Sequence, residues 1–186
     1  RADSDAAVAA IYRAKGRPDF NPLIVHVPDL AAAAALAEFD SRARHLAEKF
    51  WPGALTMVVQ RRTQASLAPA VTAGLPSVAL RCPAHPAMRA VLAAAGLPLA
   101  APSANRSGGV SPTRPEHVRE SLGKQVDAIL DGGACELGLE STIVALRPAG
   151  GWSLLRPGPV SEDEIAALLG EPPTAAVASH IEAPGQ

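Results

Sequence analysis

Lys15 and Arg17, separated by Gly16, are followed by Pro18 and then by Asn21-Pro22-Leu23-Ile24-Val25-His26-Val27. This spacing carries two cations from a helix end toward a strand, which is one way to build an anion pocket. The same two residues would equally complement the carboxyl end of that helix. Arg81 ends the apolar run Val78-Ala79-Leu80, and Arg156 ends Trp152-Ser153-Leu154-Leu155 before Pro157-Gly158-Pro159. A guanidinium at a strand end suits a carboxylate or phosphate in two-pronged fashion, although an arginine there also serves as a plain rim charge. His26, in an apolar run, fits a hydrogen-bonded core histidine better than a base.

Two polar loops add hydroxyls and bare backbone N–H groups. The first, Pro102-Ser103-Ala104-Asn105-Arg106-Ser107-Gly108-Gly109, continues through Val110-Ser111-Pro112-Thr113. Its glycines let the backbone approach a phosphate or a purine edge closely, and an ordinary surface turn has the same composition. Neither G-x-x-x-x-G-K-[ST] nor G-x-G-x-x-G occurs. In the second, Gly138-Leu139-Glu140-Ser141-Thr142-Ile143-Val144 brings Ser141 and Thr142 to a strand mouth, an edge that ligands favour in open sheets. Hydroxyls there also satisfy turn backbone. Cys135 has no histidine nearby in sequence and is not read as a nucleophile.

Elements that could position these groups follow from periodicity. Val8, Ile11 and Tyr12 mark a helix over 5–15, with Gly16 as its left-handed stop. Further helices are expected over 30–39, 42–50, 86–95, 115–122 and 162–169, with Asp29, Ser41 and Ser161 as N-caps and a capping box from Ser161 to Glu164. Strand-like runs fall at 23–27, 55–60, 77–82, 97–101, 126–130, 142–146 and 152–155. Strands alternating with helices predict a mixed α/β domain over 1–170, and 171–186 reads as a linker or tail. Eighteen prolines, many at strand-to-helix junctions, predict rigid connections.

With 186 residues, 48% of them hydrophobic, the chain is long enough for one substantial core. A net charge of −1 provides no overall positive field for a nucleic-acid backbone, which disfavours a dedicated nucleic-acid binder. Two distant cysteines, Cys82 and Cys135, argue against a zinc site or a disulfide scaffold and fit a reducing cytoplasm. No apolar run approaches the roughly 20 residues that cross a bilayer.

Taken in order, K-G-R-P-x-x-N-P-L-I-V-H-V, F-W-P-G-A-L-T, S-V-A-L-R-C-P, A-P-S-A-N-R-S-G, G-L-E-S-T-I-V and L-L-R-P-G-P resemble the YrdC family of L-threonylcarbamoyladenylate synthases, from Lys15 to Pro159. The resemblance implies a twisted open α/β sheet with flanking helices around a large concave cavity. It also implies a reaction joining L-threonine, bicarbonate or CO2, and ATP into threonylcarbamoyl-AMP with release of pyrophosphate. The product would pass to a downstream tRNA threonylcarbamoyl transferase for threonylcarbamoyladenosine at tRNA position 37, with weak tRNA contact at most.

Carried over by position, Lys15, Arg17, Asn21, Ser77, Asn105, Thr113 and Arg156 would contact the nucleotide, with Lys15 and Arg17 central to catalysis and Mg2+ accompanying the ATP. His26, Arg81, Ser103 and Ser141 would surround the threonine, His26 orienting it rather than acting as a base. The family's first strand, with a T-x-x-Y-G-L-like segment, has no counterpart here before Arg1, and Ser179-His180-Ile181-Glu182-Ala183-Pro184-Gly185 resembles the start of a linker to a second domain. The chain is therefore expected to be the catalytic domain of a longer form. Two rival readings remain: a carbamoyl-adenylate-forming domain of the same fold, and a non-catalytic RNA-binding surface whose affinity would be strongly salt-dependent.

Overall fold

The computed structural model describes residues 1–175 and 181–184. Six helices form where their caps stand: α1 (Asp5–Lys15), α2 (Leu30–Leu36), α3 (Ser41–Phe50), α4 (Pro86–Ala95), α5 (Pro115–Leu122) and α6 (Glu162–Leu169). Ser4 caps α1, and Gly16 ends it with φ 60, turning the chain so that Arg17 leaves in a new direction. The Asp29 side chain caps α2, and the Ser161–Glu164 capping box opens α6. For α3 the cap is Asp40, whose carboxylate accepts from the Ala43 N–H, and the expected cap Ser41 is the first helical residue. Helix α2 ends three residues short of the expected 39 because Ala37 turns extended and bridges antiparallel to Arg61.

Six strands, β1 (Ile24–His26), β2 (Leu55–Gln60), β3 (Ser77–Arg81), β4 (Leu99–Ala100), β5 (Thr142–Leu146) and β6 (Trp152–Arg156), make one open mixed sheet in the order β4-β1-β3-β2-β5-β6. Pairings β1/β3 and β2/β5 are parallel, and β1/β4, β2/β3 and β5/β6 are antiparallel. The expected strand over 126–130 does not form. Its apolar residues Ile129 and Leu130 instead line a cavity, inside an irregular loop that glycines bend at Gly133 (φ 88) and Gly138 (φ 63).

Alternation along the strands divides two apolar layers. Val25, Met57, Leu80 and Val144 face helices α1, α2, α3 and α6, which supply Val8, Leu36, Leu46 and Ile165 to the main core. Burial of side chains of this size is worth about 1.5–3 kcal/mol each. The opposite face carries a smaller cluster, with Ile24, Val58, Ala79, Ile143 and Ala183. That thinner face is where the sheet leaves space.

The stretch after residue 170 packs back onto the sheet: Thr174 N–H donates to the Trp152 carbonyl at 2.7 Å, and Arg147 pairs with Glu182 at 2.6 Å. Of the linker-like sequence, Ser179, His180 and Gly185 lie outside the described residues. No helix among the described residues is long and apolar enough to cross a membrane.

Candidate active site

A cavity of about 390 Å3 opens over the thin face of the sheet, between the β1, β3, β5 and β6 ends and the two polar loops. Strand register explains why its walls are charged. Ile24 pairs with Ala79 and His26 with Arg81, so the two cavity-facing positions of β1 stand beside those of β3. Across the sheet, Ile143 is in register with Arg156. Arg17, Arg81 and Arg156, separated by 64 and then 75 positions in the chain, thereby share one hollow.

Each guanidinium is held by backbone carbonyls. Arg17 donates from Nε to the Asn21 carbonyl at 3.1 Å and from Nη2 to Asn21 Oδ1 at 2.5 Å and the Pro22 carbonyl at 2.8 Å. Asn21 therefore aims Arg17 and is not itself on the cavity wall. Arg81 donates from Nε to the Gly53 carbonyl at 3.0 Å, which leaves both its Nη groups without a protein acceptor among the described residues. Gly53 belongs to the F-W-P-G turn after a cis Trp51–Pro52 bond. Its backbone runs so close to the Phe50 carbonyl that an added Cβ would lie 2.2 Å from that oxygen. Arg156 is the most engaged, with Nε and Nη2 on the Ser141 carbonyl at 3.0 and 2.8 Å, Nη2 on Ser141 Oγ at 3.0 Å, and Nη1 on the Glu140 carboxylate and on the Pro184 carbonyl at 3.3 Å. Ser141 Oγ also bonds Thr56 Oγ1 at 2.8 Å.

Lys15 is buried at 6% exposure, just behind the wall. Its Nζ donates to the carbonyls of Ser103 and Asn105, both at 2.5 Å, and so clamps the first polar loop onto helix α1. Burial, reinforced by Arg17, pulls the Lys15 ammonium down to about 8, against a pull upward from Glu140. Asn105 is buried as well; its Nδ2 donates to the carbonyls of Arg106 and Gly109, and its Oδ1 has no partner among the described residues. Ser103 and Thr113 line the cavity.

His26 also lines the cavity at 7% exposure, and its buried Nδ1 has no partner among the described residues. Burial, with Arg81 adding to it, lowers its pKa to about 4. The imidazole is thus neutral at physiological pH and ready to hydrogen-bond a ligand, not to titrate. For His26→Gln we expect weaker ligand binding, with a pH profile from 5.5 to 7.5 identical in shape to that of the unaltered protein. A limb near 6.5 that disappears in the variant would contradict a neutral histidine.

Of the residues expected from sequence, Arg17, His26, Arg81, Ser103, Thr113, Ser141 and Arg156 reach the cavity wall. Lys15, Asn21 and Asn105 support it from behind. Ser77 does not join them: it pairs with Gln60 at the start of β3, the far end of the strand from Arg81. Sequence reasoning passed over Glu140, Gly53 and Gly158, whose signals lay in the G-L-E-S-T, F-W-P-G and R-P-G-P motifs themselves.

Residues 1–158 match the family described as "Telomere recombination" (Sua5, YciO and YrdC). The chain is 45% identical over 168 residues to the threonylcarbamoyl-AMP synthase of Bacillus subtilis, covering 88% of this chain and 47% of that protein. It is 40% identical over 166 residues to a putative threonylcarbamoyl-AMP synthase of Mycobacterium tuberculosis, covering 89% of this chain and 75% of that protein. Among solved structures, Pyrococcus abyssi Sua5 complexed with L-threonine superposes with a TM-score of 0.91 at 38% identity, covering 99% of this chain and 55% of the other. Escherichia coli YciO, at 22% identity and a TM-score of 0.78 over 89% of this chain and 79% of its own, shares the fold. The chain spans about half the length of several of these relatives, 47% for the Bacillus protein. Matched along most of its length by sequence and along nearly all of it by backbone, with a cation-lined hollow on the thin face of an open sheet, the chain belongs to the Sua5, YciO and YrdC family.

Proposed function

We propose that this chain catalyses the formation of L-threonylcarbamoyl-AMP from L-threonine, bicarbonate or CO2, and ATP, releasing pyrophosphate. The observation that carries this reading is the convergence of Arg17, Arg81 and Arg156 beside a neutral His26 in one cavity, on a chain whose net charge is −1. Two anionic reactants, an amino-acid carbamate and a triphosphate, have to be brought together there, and clustered guanidinium groups offset their repulsion. The family membership and the L-threonine complex of the P. abyssi protein support the same substrates.

In the proposed reaction the threonine amine adds to CO2, a carbamate oxygen attacks the α-phosphorus, and the bond to pyrophosphate breaks. No enzyme nucleophile is needed, so positioning and charge stabilisation carry the catalysis. Arg81, with both Nη groups open, takes the threonine carboxylate. His26 and the Ser103 and Ser141 hydroxyls orient the rest of the amino acid. Arg17, Arg156, Thr113 and the 103–109 loop receive the nucleotide, with Lys15 and Asn105 fixing that loop. Among the described residues, no three of His, Cys, Asp and Glu converge on a possible metal site. Mg2+ would accompany the triphosphate and neutralise part of its charge. The product would supply a tRNA threonylcarbamoyl transferase in the cytoplasm, for modification at position 37.

The test is pyrophosphate release from ATP, Mg2+ and bicarbonate in the presence of each amino acid in turn. Release with L-threonine is expected; release that needs carbamoyl phosphate instead, or none with threonine, would reject the reading. Within it, Arg81→Ala is expected to raise the threonine KM by about 30- to 100-fold, the loss of charge-assisted bonds worth about 2–3 kcal/mol. An unchanged KM would remove Arg81 from the carboxylate.

A further inference from the structure

Glu140 is the sole carboxylate on the cavity wall among the described residues, and it stands where the cations meet. Its Oε2 accepts from Arg156 Nη1, and its Oε1 accepts from the Ser111 hydroxyl. The carboxylate thus ties strand β6 to the 103–113 loop across the mouth of the hollow. Its field also reaches Lys15, Arg17 and Arg81, favouring the charged form of each. Those cations meanwhile repel one another, Arg17 acting on Lys15 and Arg156 on Arg81. Cations packed this way need an anion nearby whether or not a ligand is present.

We propose that Glu140 is a built-in counterion that occupies the polyphosphate site until the ligand arrives and re-forms its bond to Arg156 as pyrophosphate leaves. Two observations favour exchange over a fixed structural pair. The Glu140 side chain is 40% exposed and opens onto the cavity, so phosphate oxygens can replace it without unfolding anything. Arg156 Nε and Nη2 are committed to Ser141, and Nη1 donates both to Glu140 and to the Pro184 carbonyl at 3.3 Å, so an incoming phosphate gains Arg156 by accepting the Nη1 N–H bond that Glu140 otherwise accepts. Competition of this kind weakens polyphosphate binding below what the cations alone would give, and so promotes release.

This inference rests on the proposed nucleotide site but not on the identity of the amino-acid substrate. Its test is titration of inorganic pyrophosphate, with and without Mg2+, into the protein and its Glu140→Gln, Glu140→Ala and Glu140→Asp variants. Glu140→Gln and Glu140→Ala are expected to bind pyrophosphate about tenfold more tightly in both conditions, because one competing negative charge is gone. Glu140→Asp should stay near the original affinity. A residue that merely braced the fold would weaken binding when altered. Unchanged or weaker pyrophosphate binding in both neutral variants, weakening confined to the Mg2+ titration as expected of a metal ligand, or no pyrophosphate binding by any form would overturn the proposal. Absence of threonine-dependent turnover, with the pyrophosphate titrations as expected, would instead reject the substrate assignment and leave the counterion in place.

Discussion

Lys15→Met is expected to lower kcat/KM for ATP by about two to three orders of magnitude while the protein still unfolds cooperatively. The ammonium holds the carbonyls of Ser103 and Asn105, both at 2.5 Å, and these two bonds fix the loop that would receive the nucleotide. Hydrogen bonds to a charged donor are worth about 1.5–3 kcal/mol each, so losing both leaves buried carbonyls unpaired and the loop free to shift. Methionine fills the volume of the lysine stem, which separates this effect from a simple cavity.

A pH dependence accompanies it. With the Lys15 pKa lowered to about 8, nucleotide affinity should fall as pH rises through that value, when the donor loses its charge. Stability moves the other way between about 8 and 10.5, because there the unfolded chain binds the proton and the native one does not. An alkaline limb near pH 8 in kcat/KM for ATP, removed in Lys15→Arg, is the expected readout; a flat profile to pH 9 would contradict it.

Gly158→Ala is expected to lose stability and activity together. A Cβ at this position would sit 2.4 Å from Thr142 N, 2.6 Å from the Glu140 carbonyl oxygen and 2.8 Å from the Ser141 carbonyl carbon, all backbone atoms that cannot swing aside. The turn after β6 and the mouth of β5 must then separate. That movement drags Ser141 away from Arg156, whose Nε and Nη2 both hold the Ser141 carbonyl. We expect a destabilisation of about 1–3 kcal/mol, typical of forced overpacking. If Arg156 binds phosphate as proposed, a displacement of even about 1 Å is expected to lower kcat/KM by about a hundredfold. A melting curve and ATP kinetics unchanged from the original would show that the turn relaxes freely.

Much of the frame was legible in the sequence because caps and periodicity are local. Gly16 and the Ser161–Glu164 box mark helix ends by their own chemistry, and short apolar runs rich in β-branched residues at 55–60 and 142–146 mark strands buried on both faces. The apolar residues Ile129 and Leu130 looked like a strand because a cavity wall and a sheet demand the same side chains. Asp40 displaced Ser41 as the α3 cap because either oxygen suits the position and only the backbone turn decides between them.

The site was legible as a set of motifs, less so as a division of labour. Arg17, Arg81 and Arg156 announced themselves at element ends, but that Asn21 aims Arg17 and Lys15 clamps carbonyls depends on where side chains fold back. Ser77 shares a strand with Arg81, and in a strand a separation of four residues spans about 13 Å, which puts it away from the cavity wall that Arg81 lines. Glu140 lay hidden because a carboxylate among anion-binding residues reads as a misfit until its partner, Arg156, is seen across the sheet.

Mass spectrometry of the nucleotide product tests the account most directly. With ATP, Mg2+, L-threonine and carbon-13-labelled bicarbonate, the account predicts an adenylate bearing one threonine and one labelled carbon, formed together with pyrophosphate and abolished when threonine is withheld. A product lacking the labelled carbon, or an AMP derivative formed equally well without threonine, would show that the cations of this cavity serve a different reaction.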